Sequence, residues 1–257
     1  MIELKDVSLI VSDRFGLKNI DATFNDGEII GIIGRSGSGK SLMLKTISSQ
    51  YRVFQGDVLI QHRPVQSYMT KDLHRLIASS IGLPRPDTEI TLQEFLLLSR
   101  IPFKRFLNPF TEYDLQTVEE EIKTLELQEY RNNSLESLPS SILGKAMAAF
   151  CLIRKSPVLI LDNPTAEMDI KSITLLQKAL FKHVMDGNRI VLLASNDLNF
   201  IAQTADRILL LDEGQIAASG TADLIDADLI RQYFHIEVFI SKNIYNGKPN
   251  VHFFPEN

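Results

Sequence analysis

Gly34-Arg35-Ser36-Gly37-Ser38-Gly39-Lys40-Ser41 stands between an apolar run, Glu28 to Ile33, and a helical pattern that begins at Leu42. A glycine-rich turn between a buried strand and a helix is the layout of a phosphate-binding loop. Its glycines let backbone N–H groups point inward at phosphate oxygens, Lys40 reaches the β- and γ-phosphates, and the Ser41 hydroxyl can ligand Mg2+. All eight residues are therefore expected to contact nucleotide. The strand-loop-helix order weighs against an accidental glycine-rich turn, so the chain is expected to bind a nucleoside triphosphate on an α/β fold with a P-loop NTPase core.

Composition bounds what surrounds this loop. The chain has 257 residues, 44% of them hydrophobic, which suffices for a substantial core in one large domain or in one domain carrying an insertion. A formal charge of -5 and the lack of a long Lys or Arg block argue against nucleic acid as partner and favour protein. No apolar stretch approaches the roughly 20 residues of a membrane-crossing helix. The opening Met1-Ile2-Glu3-Leu4-Lys5-Asp6 lacks the basic-then-apolar layout of a secretory signal, so a membrane role is expected to run through a partner. The single Cys151 lies in the apolar stretch Ala146 to Ile153; it reads as a buried, inert thiol and fits the cytoplasm. His62, His74, His183, His235 and His252 lack metal-site spacing and read as structural or surface residues.

Patterning away from the loop is also informative. Ile2 to Val11 and Asn19 to Asn25 read as strands of an N-terminal antiparallel β element, with Asp26-Gly27 turning into the strand before the loop. Gly56 to Gln61 alternates as another strand. Between about 72 and 138 the pattern becomes helical, at Leu73, Leu76 and Ile77, then Leu92 to Leu98, then Val118 to Leu127, punctuated by prolines, which suggests an inserted helical subdomain. Val158 to Leu161 and Ile190 to Ala194 read as buried parallel strands joined by a helix over Ser172 to Val184. From about 221 to 257 a helix and a hairpin turned at Asn246-Gly247 form a tail.

The second chemical motif is Val158-Leu159-Ile160-Leu161-Asp162, an apolar strand that ends in a carboxylate able to hold Mg2+ through a water. Together with the residues after it, this motif resembles the ATP-binding cassette family over nearly the whole chain. Asn163-Pro164-Thr165 follows Asp162 where the family has Glu-Pro-Thr, and Ala166-Glu167-Met168-Asp169 resembles its D-loop. Leu193-Ala194-Ser195-Asn196-Asp197-Leu198 resembles its switch segment, and Ala205 to Leu211, Glu213 to Ile216 and Gly220-Thr221 resemble its closing strands. The tail, Tyr233 to Val238 followed by Asn246-Gly247-Lys248-Pro249, is similar to cassettes that serve importers of iron-siderophore, haem or cobalamin.

The resemblance implies Mg2+ and ATP as ligands, a second cassette in a head-to-tail homo- or heterodimer, a membrane permease as partner, and a cytoplasmic position on the inner face of the membrane. It also exposes departures. Asn163 occupies the place of the glutamate that polarises the attacking water, and an amide cannot accept a proton. Asn196 replaces the switch histidine. Arg85 stands at the Q-loop position, and Phe15 is the nearest ring for stacking on adenine, with core packing an equal alternative. The signature segment of the family aligns with Leu138-Pro139-Ser140-Ser141-Ile142, without its glycines; Pro139, Ser140 and Ser141 would cap the nucleotide of the opposite site or merely cap a helix.

These observations imply an importer's ATP-binding subunit with impaired hydrolysis. The alternative is a non-transporting, hydrolysis-deficient regulatory or scaffolding protein. A kinase-like phosphoryl transferase fits less well with Asp162-Asn163-Pro164-Thr165 and the helical insertion.

Overall fold

The computed structural model describes residues 1–12, 15–83, 89–104 and 108–254. The chain divides into two compact units, Met1–Ser67 with Ile190–Asn257, and Tyr68–Arg189. The first unit opens with β1 (Ile2–Ser12), β2 (Phe15–Phe24), β3 (Ile29–Ile33), α1 (Lys40–Ile47), β4 (Gln55–Ile60) and β5 (Arg63–Pro64). The second holds α2 (Thr70–Leu76), β6 (Ile77–Ser79), α3 (Leu92–Leu98), α4 (Glu112–Thr124), α5 (Ser140–Ile153), β7 (Val158–Asp162) and α6 (Ile170–Met185). The chain returns to the first unit with β8 (Ile190–Ala194), α7 (Leu198–Thr204), β9 (Arg207–Asp212), β10 (Gln215–Gly220), α8 (Ala227–Phe234), β11 (Val238–Lys242) and β12 (Pro249–Phe253).

In the first unit β1 lies between β2 and β4 in an antiparallel sheet. Its buried residues are Ile2 and Leu4, then Val7 and Leu9, a shift of phase that strict alternation does not allow. A bulge between Leu4 and Val7, with Asp6 at φ 49°, absorbs the extra residue and keeps the apolar side chains on one face. The other sheet of this unit places β3 between β8 and β9, parallel to both, with β10 antiparallel on the edge of β9. Every residue of β3 and β8 is buried, as expected for strands covered on both faces. Gly31 is required there by proximity: a Cβ would stand 2.4 Å from Ile201 Cγ2 on α7.

The helix α7 also holds the tail. The Asn199 side chain donates to the Val251 carbonyl at 3.0 Å and accepts from the Val251 N–H at 2.7 Å. The hairpin turn is wider than a two-residue Asn-Gly turn, because β11 and β12 are joined by residues 243–248 and close at the Lys242–Pro249 pair. Asn246 is engaged sideways, its Nδ2 donating to Gln203 Oε1 at 2.8 Å, which holds the loop open.

In the second unit β6 and β7 pair in parallel, Ile77 opposite Val158. Ile77, read from its spacing as helical, is instead the first residue of β6: α2 ends at Leu76 and the backbone turns to φ −120°, ψ 122°. Ladder bonding to a buried strand outweighs helical spacing at that point. Capping boxes open two helices, Thr91 with Glu94 for α3 and Thr111 with Asp114 for α4. Arg100 and Asp114, both nearly fully buried, form an ion pair at 2.8 Å, and Arg100 Nη1 donates to the Ile153 carbonyl at the end of α5 at 3.1 Å. The unit runs past the helical stretch of about 72–138 because α5 packs on α3 and α4 and also on α6 and β7.

Candidate functional site

The phosphate loop leaves the buried end of β3. Gly34, Gly37 and Gly39 all have positive φ, at 147°, 82° and 109°. At Gly34 the need is strongest, since a Cβ would lie 2.2 Å from the Leu211 carbonyl oxygen and 2.6 Å from Ser38 Oγ. The loop is braced from behind: Gly214 N–H donates to the Ser38 carbonyl at 3.0 Å, and Lys18 N–H donates to the Gly214 carbonyl at 2.9 Å. Lys40 Nζ folds over the loop and donates to the carbonyls of Gly34 and Arg35 at 2.7 and 3.0 Å.

These residues fit a triphosphate with Mg2+. Arg35, Ser36 and Gly37 are exposed, whereas Ser38 and Gly39 are buried. Ser38 Oγ has no hydrogen-bond partner among the described residues. Helix α1 begins after Gly39 with no side-chain cap and no acid in its first turn, so its first N–H groups are left for an anionic acceptor. Ser41 is exposed in that same turn.

Asn196 reaches the same end of this sheet. β8 runs parallel to β3 with Ala194 opposite Ile32, and the Ser195 N–H donates to the Ile32 carbonyl at 3.3 Å. The Asn196 segment and the phosphate loop therefore leave the carboxyl ends of adjacent parallel strands, the usual ligand-binding edge of an α/β sheet. Two side chains shape the segment: Ser195 Oγ accepts from the Asp197 N–H at 3.0 Å, and the Asp197 carboxylate caps α7 by accepting from Phe200 N–H at 2.9 Å. Asn196 itself is exposed.

In the second unit Asp162 ends β7, and its N–H donates to Ser80 Oγ at 3.0 Å. Asn163 follows at φ 50°, exposed, a conformation Asn adopts more readily than most residues. Asp162, Asn163, Ser80, Glu167 and Met147 share a cavity of about 250 Å3. Asp169, at the end of the D-loop-like segment, caps α6 by accepting from Ser172 N–H at 2.7 Å.

Helix α5 begins at Ser140 with Pro139 as its N-cap residue and no side-chain cap hydrogen bond. Leu138 to Ser141 thus stands at the N-terminus of α5, as the helix-cap alternative expects, although Pro139 has no side-chain acceptor and Ser140 and Ser141 lie inside the helix. Arg85 lies outside the described residues. Of Phe15 only the backbone is described, at the start of β2.

Ser80 escaped the sequence reading, and the hydrogen bonds made by Gly214, Ser195 and Asp197 were not legible in the closing-strand and switch-like motifs that contain them. The bond from Gly214 to the loop depends on packing. Among the described residues no cluster of His, Cys, Asp and Glu could hold a metal ion. Burial pushes the Cys151 thiol up to about 12, which makes it unreactive.

A buried strand, a glycine cradle closed by a lysine and a neighbouring switch-like segment define an α/β nucleotide-binding cassette of the P-loop NTPase class. Comparison with known proteins agrees. The ABC transporter family profile matches residues 17–166, more than half of the chain. The petrobactin import ATP-binding protein FpuD of Bacillus anthracis is 25% identical over 96% of this chain and 91% of its own length. The ferric enterobactin transport ATP-binding protein FepC of Escherichia coli is 25% identical over 91% of this chain and 87% of its own. A solved metal-chelate-type ABC transporter in an inward-facing conformation superposes with a TM-score of 0.80 at 17% identity, covering 100% of this chain and 97% of that one. The chain belongs to the ABC transporter family and has the fold of its ATP-binding cassettes.

Proposed function

We propose that this chain is the ATP-binding subunit of an importer for ferric siderophores or related metal chelates. In this reading it binds Mg-ATP through Gly34 to Ser41, works as a head-to-tail dimer at the inner face of the membrane against a permease, and hydrolyses ATP slowly. The observation that carries the reading is the contrast between a formed phosphate loop and the two amides, Asn163 and Asn196, at the positions where the family resemblance places an acid and a histidine. The transported class rests on the names of the relatives, which import petrobactin and ferric enterobactin.

The chain's own residues have separable tasks. Backbone N–H groups of the loop and the first turn of α1 bind phosphate oxygens, and Lys40 exchanges its loop carbonyls for the β- and γ-phosphates. Ser41 and Asp162 would hold Mg2+, which when bound neutralises charge on the phosphate oxygens. Asn163 can orient a water by hydrogen bonding but cannot take its proton, and Asn196 can donate an N–H but carries no charge. Loss of a general base slows such chemistry by roughly a hundredfold to ten-thousandfold, about 3 to 5 kcal/mol of barrier, and leaves phosphate binding in place. At the opposite site, Ser140 and Ser141 offer hydroxyls and helix N–H groups where glycines would permit closer approach.

The test is to measure Mg-ATP affinity and steady-state hydrolysis for wild type, Lys40→Ala and Asn163→Glu. The reading expects tight binding with slow turnover in wild type, binding lost in Lys40→Ala, and turnover raised in Asn163→Glu. Brisk wild-type turnover that Asn163→Glu leaves unchanged overturns the role given to Asn163.

A second reading draws on the same replaced positions, Asn163, Asn196 and Pro139-Ser140-Ser141. It makes the chain a nucleotide-gated regulator or scaffold without transport. Recovery of a polytopic subunit with the chain from native membranes supports the importer, and a self-dimer alone supports the regulator.

A further inference from the structure

The turn between β9 and β10 meets the phosphate loop through one backbone group. Glu213 and Gly214 have φ 45° and 78°, and the Asp212–Gln215 pair closes the strands around them. Two such residues make the pattern of a type I′ turn, whose closing bonds use the backbone groups of Asp212 and Gln215 and leave the N–H of Gly214 over. That N–H donates to the Ser38 carbonyl at 3.0 Å, while the Gly214 carbonyl accepts from the Lys18 N–H at 2.9 Å. The fit is close, since a Cβ on Gly214 would stand 1.9 Å from the Gly16 carbonyl oxygen of β2. The turn is wedged between β2 and the loop and has room only for glycine.

The bond to Ser38 fixes the direction of one peptide group. In a trans peptide the C=O and the N–H that follows it point opposite ways. Holding the Ser38 C=O toward Gly214 therefore aims the Gly39 N–H away from Gly214. The residue itself does not enforce this direction: Gly39 has φ 109°, a flip of the Ser38–Gly39 peptide turns that angle by about half a circle, and glycine accepts either value. Ser38 and Gly39 are buried, the Ser38 N–H donates to the Arg35 carbonyl at 3.1 Å, and the Gly39 N–H has no acceptor among the described residues. Buried N–H groups are nearly always hydrogen-bonded, so this one marks the place of a ligand oxygen.

We infer that Gly214 is a positioning residue of the nucleotide site, whose N–H holds the Ser38 carbonyl and so keeps the Gly39 N–H aimed at a phosphate oxygen. This rests on the reading that Gly34 to Ser41 binds a triphosphate. With the peptide flipped, the Ser38 carbonyl would face the phosphates in place of the Gly39 N–H and set an acceptor against an anion. The other bonds of the loop lie to either side of this peptide. Lys40 Nζ holds the carbonyls of Gly34 and Arg35, and the Met43 N–H donates to the Gly39 carbonyl at 2.8 Å.

The test sets Gly214→Ala beside Gly56→Ala in the full-length chain. Gly56 is a matched control: it has φ 79°, an added Cβ would stand 2.2 Å from the Asp6 carbonyl oxygen, and it lies on β4, whose neighbours are β1 and β5. Both alanines impose the same kind of strain, and only the one at 214 pushes the turn off Ser38. Urea unfolding reports the strain, and titration with a fluorescent ATP analogue in Mg2+ reports the site. Gly56→Ala should unfold more easily than wild type yet bind within about twofold of it. Gly214→Ala should bind about 10- to 100-fold more weakly, the loss of one hydrogen bond to a charged acceptor. Equal affinities in the two variants overturn the part given to Gly214. If Gly214→Ala does not fold, amide NMR of the wild type decides: the Gly39 resonance should move downfield on addition of Mg-ATP, and the Gly214 amide should be protected from hydrogen exchange. An unmoved Gly39 resonance or a freely exchanging Gly214 amide overturns the inference. A wild type that binds no ATP removes the phosphate-loop reading and this inference with it.

Discussion

Replacing Gly34 by alanine should separate conformational strain from steric overlap in the phosphate loop when set beside Gly37→Ala. Gly34 has φ 147°, and an added Cβ would stand 2.2 Å from the Leu211 carbonyl oxygen. That oxygen is backbone of a buried strand and cannot rotate away. The φ penalty for a non-glycine residue is about 1 to 3 kcal/mol, and forced overlap in a packed site adds about 1 to 3 kcal/mol more. Gly37 has φ 82° and open space around the added atom, so only the conformational part applies, about 1 kcal/mol. Urea unfolding should therefore rank Gly34→Ala below Gly37→Ala by about 1 to 5 kcal/mol. Because the overlap displaces the loop between Ser38 and Leu211, nucleotide affinity in a fluorescence titration should also fall further, by about 30-fold for each 2 kcal/mol of binding energy lost. Equal unfolding midpoints with unchanged nucleotide affinity would refute the claim that the loop's curvature depends on this close approach.

Two further outcomes concern the second unit. Asp114→Ala should destabilise the protein by about 3 to 5 kcal/mol in urea unfolding, since it strands the buried Arg100 guanidinium, and Arg100→Met with Asp114→Leu should recover part of that loss. The pH dependence of stability follows from two opposed shifts. Glu121, raised from 4.5 to about 7, contributes stability that is fully present below pH 4.5 and is lost as pH rises through about 7. His183, lowered from 6.5 to about 4, contributes stability present above pH 6.5 and lost as pH falls through about 4. Each amounts to on the order of 3 kcal/mol, and between pH 4.5 and 6.5 they act in opposite directions, so wild-type stability from this pair should be nearly level there. Glu121→Gln should unmask the histidine limb as an acid-side fall in thermal midpoint; a variant whose pH profile matches the wild type contradicts this.

Much of the cassette was legible in the chain because its signals are local. A strand buried on both faces must be a continuous apolar run, and a phosphate loop must place glycines where backbone bends, so β3, β7, β8 and Gly34 to Ser41 could be read residue by residue. Asn163 and Asn196 were legible by their positions beside those motifs. Ile77 was misread because its helical spacing is a weak local preference, whereas its pairing with Val158 involves a residue far along the chain. The hairpin turned at Asn246-Gly247 was legible, but the width of its 243–248 loop was not, since Gln203 on α7 holds it.

The order of residues by itself determined a glycine-rich turn between a buried strand and a helix, and that Asn163 and Asn196 follow two apolar strands, because those properties depend on residue type at short spacing. Tertiary structure decided what braces and surrounds them: Gly214 under Ser38, Ser80 under Asp162, the bulge at Asp6, and the burial of His183. Those features are hydrogen bonds and desolvation between residues distant in the chain, and burial, unlike residue identity, is a property that only the folded arrangement confers.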